Sequence, residues 1–155
     1  CALVHQPRVL LLDEPTNGVD PVSRRELWDL LHEFVHDGMA VLLSTPSMDE
    51  AERCHRVGLL HHGALLVEGA PQALLRDFDH LTLEVLGGDR AQVEALLAVR
   101  SEVRAASPAG AHLKVVVRPG GQPALEAALA PLGAHLEPAA PTFEDLFLTR
   151  VTGEA

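Results

Sequence analysis

Leu10-Leu11-Leu12-Asp13-Glu14-Pro15-Thr16-Asn17-Gly18-Val19-Asp20 is the most informative run of residues in the chain. Val9 to Leu12 is apolar without alternation, which predicts a strand apolar on both faces, as in the middle of a parallel sheet covered on both sides. Such a strand carries Asp13 and Glu14 to its C-terminal end, the edge at which open α/β sheets bind ligands. Neighbouring side chains of a strand point to opposite faces, so the two acids are expected to do different work. The first suits a hydrated Mg²⁺, a hard cation that takes oxygen ligands and retains several waters. The second suits orienting and polarising a water for attack on a terminal phosphate, since phosphoryl transfer rests on positioning and charge stabilisation. The plainer reading is a strand end whose carboxylates cap the following turn.

Asp20-Pro21 introduces a predicted helix over Ser23 to Asp37, with Leu27, Leu30, Leu31, Phe34 and Val35 at helical spacing and Asp37-Gly38 as its stop. Met39 to Leu43 predicts the next buried strand, and Met48 to Cys54 a short helix whose acidic first turn suits the helix dipole. Val57 to Leu60 and Ala64 to Val67 predict two strands joined by a hairpin turn at His61-His62-Gly63. Alternating strands and helices make an α/β unit, expected over 1–78.

Past Phe78 the pattern changes. Leu81, Leu83 and Val85 alternate with Thr82 and Glu84, which predicts a strand with one solvated face. A helix over Arg90 to Val99 and strands near Val103 and over Leu113 to Val117 follow. A helix over Pro123 to Leu132 and a short strand over His135 to Glu137 complete the series. Turns are expected at Ser107-Pro108-Ala109-Gly110 and Pro119-Gly120-Gly121. The βαββαβ order is the split βαβ or ferredoxin-like pattern, expected as a small α+β accessory domain over 79–155.

Composition narrows the function. The 155 residues make one domain, or a small domain with an appendage, and 47% hydrophobic residues suffice for a core. A net charge of -10 argues against general affinity for nucleic acid or anionic lipid. It leaves open phosphate ligands held by backbone amides and Mg²⁺. No apolar run approaches the roughly 20 residues of a spanning helix, and no signal-peptide pattern opens the chain, which reads as soluble. Two cysteines, Cys1 and Cys54, make no disulfide framework, as suits a reducing cytoplasm. Cys1 to Pro7 reads as the last turns of a helix stopped by proline, so the chain is expected to begin inside a larger protein.

Taken as an ordered set, these motifs resemble the nucleotide-binding subunit of ABC transporters. Leu10 to Glu14 is similar to its Walker B strand, with Asp13 matching the Mg²⁺-linked aspartate and Glu14 the catalytic glutamate. Thr16-Asn17-Gly18-Val19-Asp20 resembles its D-loop, with Asn17 where serine is commoner. Arg56 to Gly63 with Glu68-Gly69-Ala70-Pro71 resembles the strand pair that follows, and Pro141 to Leu148 the closing segment of the drug- or multidrug-export branch. The resemblance implies the C-terminal part of a P-loop (RecA-like) ATPase domain with ATP and Mg²⁺ as ligands. It puts Asn17, Gly18 and Asp20 among the nucleotide-contacting positions, with Asp20 helping to couple two sites across a subunit interface. It also implies a membrane-spanning permease partner, a second nucleotide-binding domain, no nucleic-acid partner, and a cytoplasmic place at the inner face of the membrane. Residue chemistry alone gives the closing segment a packing role: Thr142 caps a helix whose Phe143, Leu146 and Phe147 dock onto a sheet.

Two features depart from that pattern. A P-loop needs Gly-x-x-x-x-Gly-Lys-Ser/Thr, yet the one lysine, Lys114, stands in Ala111-His112-Leu113-Lys114-Val115, and no Leu-Ser-Gly-Gly-Gln type signature is present. The chain is therefore expected to be the C-terminal portion of a subunit, binding ATP poorly by itself and not turning it over. The second departure is Pro46, in Ser44-Thr45-Pro46-Ser47, where the family usually has a switch histidine that bonds the γ-phosphate. Proline has neither a side-chain donor nor a backbone N–H, and losing one preorganised contact costs about 10²-fold or more in rate. A slowed or non-hydrolytic site is one reading; compensation by a neighbour such as Ser47 is the other.

His32-Glu33-Phe34-Val35-His36 is a literal zinc-metalloprotease pattern, two histidines one turn apart with a glutamate to activate water. A helical wheel built on Leu27, Leu30, Leu31 and Phe34 puts His32 and His36 on the solvated side, however, and Asp37-Gly38 stops the helix at once. Surface histidines are the preferred reading. His61-His62 reads as a solvated turn, and Cys54 as a half-buried thiol.

Overall fold

A computed structural model describes residues 7–153; the helix end expected before Pro7, with Cys1, lies outside them. Contacts group the chain into two units, Cys1–Glu50 and Ala51–Ala155. Both are built of strands and helices.

The first unit is a βαβ arrangement of β1 (Val9–Asp13), α1 (Pro21–His36) and β2 (Ala40–Ser44). β1 and β2 pair in parallel, with Leu11 opposite Leu42 and Asp13 opposite Ser44. α1 begins two residues before the predicted start, because Asp20 caps it: one carboxylate oxygen accepts from the amides of Val22 and Ser23 at 3.0 and 3.1 Å. Pro21 then occupies the first turn, where a missing N–H costs nothing. Gly38, at φ 90, ends the helix in the left-handed region that glycine adopts without steric cost.

Two expectations for this unit are corrected. The buried stripe of α1 runs through Trp28 and Leu31, while Leu30 is 40% exposed. Trp28 lies one position from Leu27, and its larger surface draws the helix round to bury it. Nor is the sheet covered on both faces among the described residues. Leu10 is buried, whereas the cross-strand partners Leu11 and Leu42 are 70% and 68% exposed. An unbroken apolar run states that both faces tolerate burial and not that both are buried.

The division falls within α2 (Met48–Ala51), a single turn where a longer helix is predicted. The second unit opens with a hairpin of β3 (Val57–His61) and β4 (Ala64–Gly69). Its two-residue loop, His62-Gly63, has φ of 46 and 79, the mirror-image turn whose twist matches that of the flanking strands. α3 (Pro71–Arg76) follows, a helix not among those predicted, with Pro71 in its first turn.

Next come β5 (Leu81–Gly87), α4 (Arg90–Ala98), β6 (Val103–Ala109), β7 (His112–Val117), α5 (Gln122–Leu129) with a 3₁₀ turn to Leu132, β8 (Ala134–Pro138) and α6 (Phe143–Gly153). The four strands form one antiparallel sheet in the order β6-β7-β5-β8. Its core joins Leu83, Val85, Leu113, Val115 and Val117 of the sheet to Val93 and Leu97 of α4 and Leu125 and Leu129 of α5. Ser107 to Ala109, read from the sequence as turn, belong to β6. Proline is tolerated at Pro108 because, among the described residues, β6 is an edge strand of its sheet.

The predicted solvated face of β5 is also corrected. Thr82 is buried, as is Val116, its cross-strand partner on that face. Lys114, two residues before Val116 on β7, sets its Nζ 2.6 Å from Asp145 of α6. The start of α6 is a capping box in which Thr142 N–H and Oγ1 both donate to Asp145 Oδ2, at 2.7 and 2.9 Å. Phe143 and Leu146 are fully buried, as the packing role of the closing segment requires.

Candidate functional site

β1 ends in Asp13, Glu14 follows it, and both residues are exposed. Parallel pairing brings Ser44, the last residue of β2, opposite Asp13, and the Ser44 hydroxyl donates to Asp13 Oδ1. A carboxylate held by a neighbouring hydroxyl is oriented rather than swinging freely, which is how a ligating carboxylate is normally supported. Its oxygens are of the kind hard cations take.

Glu14 departs from the strand. Its φ is 42, a left-handed conformation that costs a residue bearing a Cβ about 1–2 kcal/mol. Hydrogen bonds hold it there. The Glu14 N–H donates to Ser44 O and Ser44 Oγ, each at 3.1 Å, and the Glu14 carbonyl accepts from the Asn17 N–H at 3.1 Å. Asn17 Nδ2 also donates to Glu14 Oε2 at 3.2 Å, so the side chain is steered as well as the backbone. Gly18, at φ 72, completes the turn in a conformation suited to glycine. Strain of this sort, kept in place by surrounding bonds, gathers at functional sites.

Asp20 lies at the far end of the turn, engaged in capping α1. The Ser23 hydroxyl, with the Ser23 and Val22 amides, holds its carboxyl below the ordinary value of 3.8. Pro46 is exposed in the loop between β2 and α2.

Glu50 is a residue that the sequence reading did not single out. Read as one of the acids favoured by a helix N-terminus, it is instead 3% exposed. Its Oε2 accepts from Thr16 Oγ1 at 3.0 Å and from Thr45 Oγ1 at 2.6 Å. Thr45 Oγ1 in turn accepts from the Ser47 N–H at 3.1 Å, and Arg24 Nε lies 3.9 Å from Glu50 Oε1. The available signal was the pair of hydroxyl residues, each beside a motif already singled out.

The other candidates do not gather. The His32 ring lies 5.8 Å from that of Trp28, and His36 Nδ1 is 3.5 Å from Asp37 at the exposed end of α1. Among the described residues no three His, Cys, Asp or Glu side chains group as a metal would require. In the second unit, His61 contacts His62 and meets Phe147 edge-on with centroids 6.0 Å apart. Lys114 is engaged with Asp145. Among the described residues no helix is long and apolar enough to cross a membrane.

No protein-family model matches the chain. It is similar over 74 residues, 48% of its length, to the probable multidrug ABC transporter ATP-binding protein YbhF of Escherichia coli strain K12, at 57% identity. It is similar over 98% of its length to the Nod factor export ATP-binding protein I of Rhizobium sp. strain N33, at 34% identity. With the same-named protein of Burkholderia thailandensis it shares 42% identity over 103 residues. The chain spans 13%, 49% and 34% of those three relatives.

Proposed function

From its kinship with a probable multidrug ABC transporter ATP-binding protein and with Nod factor export ATP-binding proteins, we propose that the chain supplies the carboxylate-bearing part of an ATP site driving export. The observation that carries this reading is the pair of exposed acids at the C-terminal end of parallel β1, the first held by Ser44 and the second turned by a left-handed backbone. In this proposal Asp13 is the residue that would hold a Mg²⁺. The bound ion would neutralise charge on the phosphates. Glu14 accepts a hydrogen bond from the attacking water and aims it at the γ-phosphate. Asn17 steers Glu14, Gly18 permits the turn, and Asp20, by fixing the start of α1, sets where that turn meets a second nucleotide-binding domain.

The one lysine, Lys114, stands outside any Gly-x-x-x-x-Gly-Lys-Ser/Thr pattern and pairs with Asp145, so it is not a P-loop lysine. The proposed ATP site thus takes its phosphate cradle from residues beyond these 155. The further parts of the proposal are a membrane-spanning permease partner, a cytoplasmic position beside it, a division into a nucleotide-binding segment over 1–78, and a ferredoxin-like accessory domain over 79–155. The antiparallel sheet order β6-β7-β5-β8, with α4 and α5 contributing to one core, supports the last of these.

Pro46 favours a second reading in which the site binds nucleotide without hydrolysing it. In the complete subunit, Glu14→Gln is expected to keep ATP binding while lowering turnover about 10²-fold; unchanged turnover rejects the role given to Glu14. Restoring histidine at position 46 distinguishes the two readings. A rise in ATP turnover supports an impaired site, and no gain counts against it.

A further inference from the structure

We infer that Glu50 is a positioning residue that ties the turn bearing Glu14 to the loop bearing Pro46, an inference that rests on the ATP-site reading above. A single oxygen, Oε2, accepts from Thr16 in the first segment and from Thr45 in the second. Hydrogen bonds to a charged acceptor are about twice as strong as neutral ones. A hydrogen bond lost from a buried carboxylate is costly, so a shift of either segment is opposed by the bond it would break.

The tie continues at both ends. Thr16 sits between Glu14 and Asn17, which bond each other through backbone and side chain. Thr45 holds the Ser47 amide, so Pro46 is anchored on either side. Proline offers the site no donor of its own. What its loop contributes is therefore geometric: through Thr45, Glu50 and Thr16 it fixes the turn that aims the Glu14 carboxylate.

The experiment uses the complete subunit in its transporter, with Thr16→Val, Thr45→Val, their double variant, Glu50→Gln and Glu50→Leu. ATP turnover, KM and hydrogen exchange at the Asn17 and Ser47 amides are measured. Each threonine variant is expected to lower kcat about ten-fold with KM within about two-fold, since positioning and not ground-state binding is lost. The double variant is expected to fall well short of the product of the single effects, because both hydroxyls serve one carboxylate. Glu50→Gln, which keeps a carbonyl acceptor, restores most of the activity that Glu50→Leu loses. Multiplicative threonine effects, or a Glu50→Leu variant with unchanged kcat, overturn the inference. If the wild-type subunit fails to hydrolyse ATP, the fault lies with hydrolysis, and exchange decides the tie. Faster exchange at Asn17 in Thr45→Val supports it, and unchanged exchange there overturns it.

Discussion

In Cys1–Glu50 the large apolar side chains buried among the described residues are Leu10, Trp28 and Leu31, whereas in Ala51–Ala155 a continuous core joins both sides of a sheet–helix interface. The first unit compensates with directional bonds: Asp20 on two amides, Ser44 on Asp13 and Glu14, and Glu50 on two threonines. Burial of apolar area is non-directional and sets stability, while hydrogen bonds fix where particular atoms sit. The unit proposed to carry chemistry is thus the one in which position depends on polar contacts. The other withstands small displacements because many side chains share the load.

Substitutions with opposite consequences in the two units test this contrast. The largest effect is expected in the second, where Leu129 is fully buried between helix and sheet. Leu129→Ala should cost about 2–5 kcal/mol in urea unfolding followed by circular dichroism. Leu42→Ala, at a side chain 68% exposed, should stay within about 0.5 kcal/mol by the fluorescence of Trp28, the one tryptophan. Equal losses would remove the distinction.

A smaller difference is expected between two glycines. A Cβ at Gly87 would lie 2.6 Å from Gly133 O, and φ there is 77. At Gly18 φ is 72 but nothing lies within 4 Å. Gly18→Ala should therefore cost only the backbone strain, about 1–2 kcal/mol, and Gly87→Ala more than that because the carbonyl must move. Thermal melts of the two variants rank them; the reverse order contradicts the packing described for β5 and β8.

The smallest effect is electrostatic. Among the described residues, two carboxyls are held below their ordinary values: Asp20 by the Ser23 hydroxyl and neighbouring amides, and Glu102 by its hydrogen bond with Arg100. A depressed folded value means the unfolded chain takes up the proton first as pH falls. The stabilisation is complete above the ordinary values of 3.8 and 4.5 and is lost as pH falls through the lower folded ones. Urea titrations between about pH 6 and about pH 2 should show this loss in wild type. Asp20→Asn should flatten the acid limb reported by Trp28, and Glu102→Gln the limb reported by circular dichroism. A variant whose limb keeps its slope shows that its carboxyl contributes nothing there.

Much of the second unit was legible in the residues because its signals are local. The hairpin turn at His61-His62-Gly63 and the cap that Thr142 supplies to α6 were both read from short windows of residues. What escaped depended on neighbours distant in sequence. The alternation of β5 could not reveal that the face bearing Thr82 is buried. Pro108 read as a turn because nothing local marks an edge strand. The stripe of α1 was displaced because apolar spacing ranks Leu27 and Trp28 alike.

For the candidate site the division is sharper. Adjacent carboxylates after an apolar run, the Asn-Gly turn and the proline at position 46 are all written in the sequence, because strand propensity, glycine conformation and side-chain chemistry are properties of single residues and short windows. That Ser44 serves both Asp13 and Glu14, and that Glu50 gathers hydroxyls from positions 34 residues before it and 5 before it, was decided only by the tertiary structure. Those bonds exist because parallel pairing brings the ends of β1 and β2 together. A hydrogen bond between segments far apart along the chain has no signature in either segment alone.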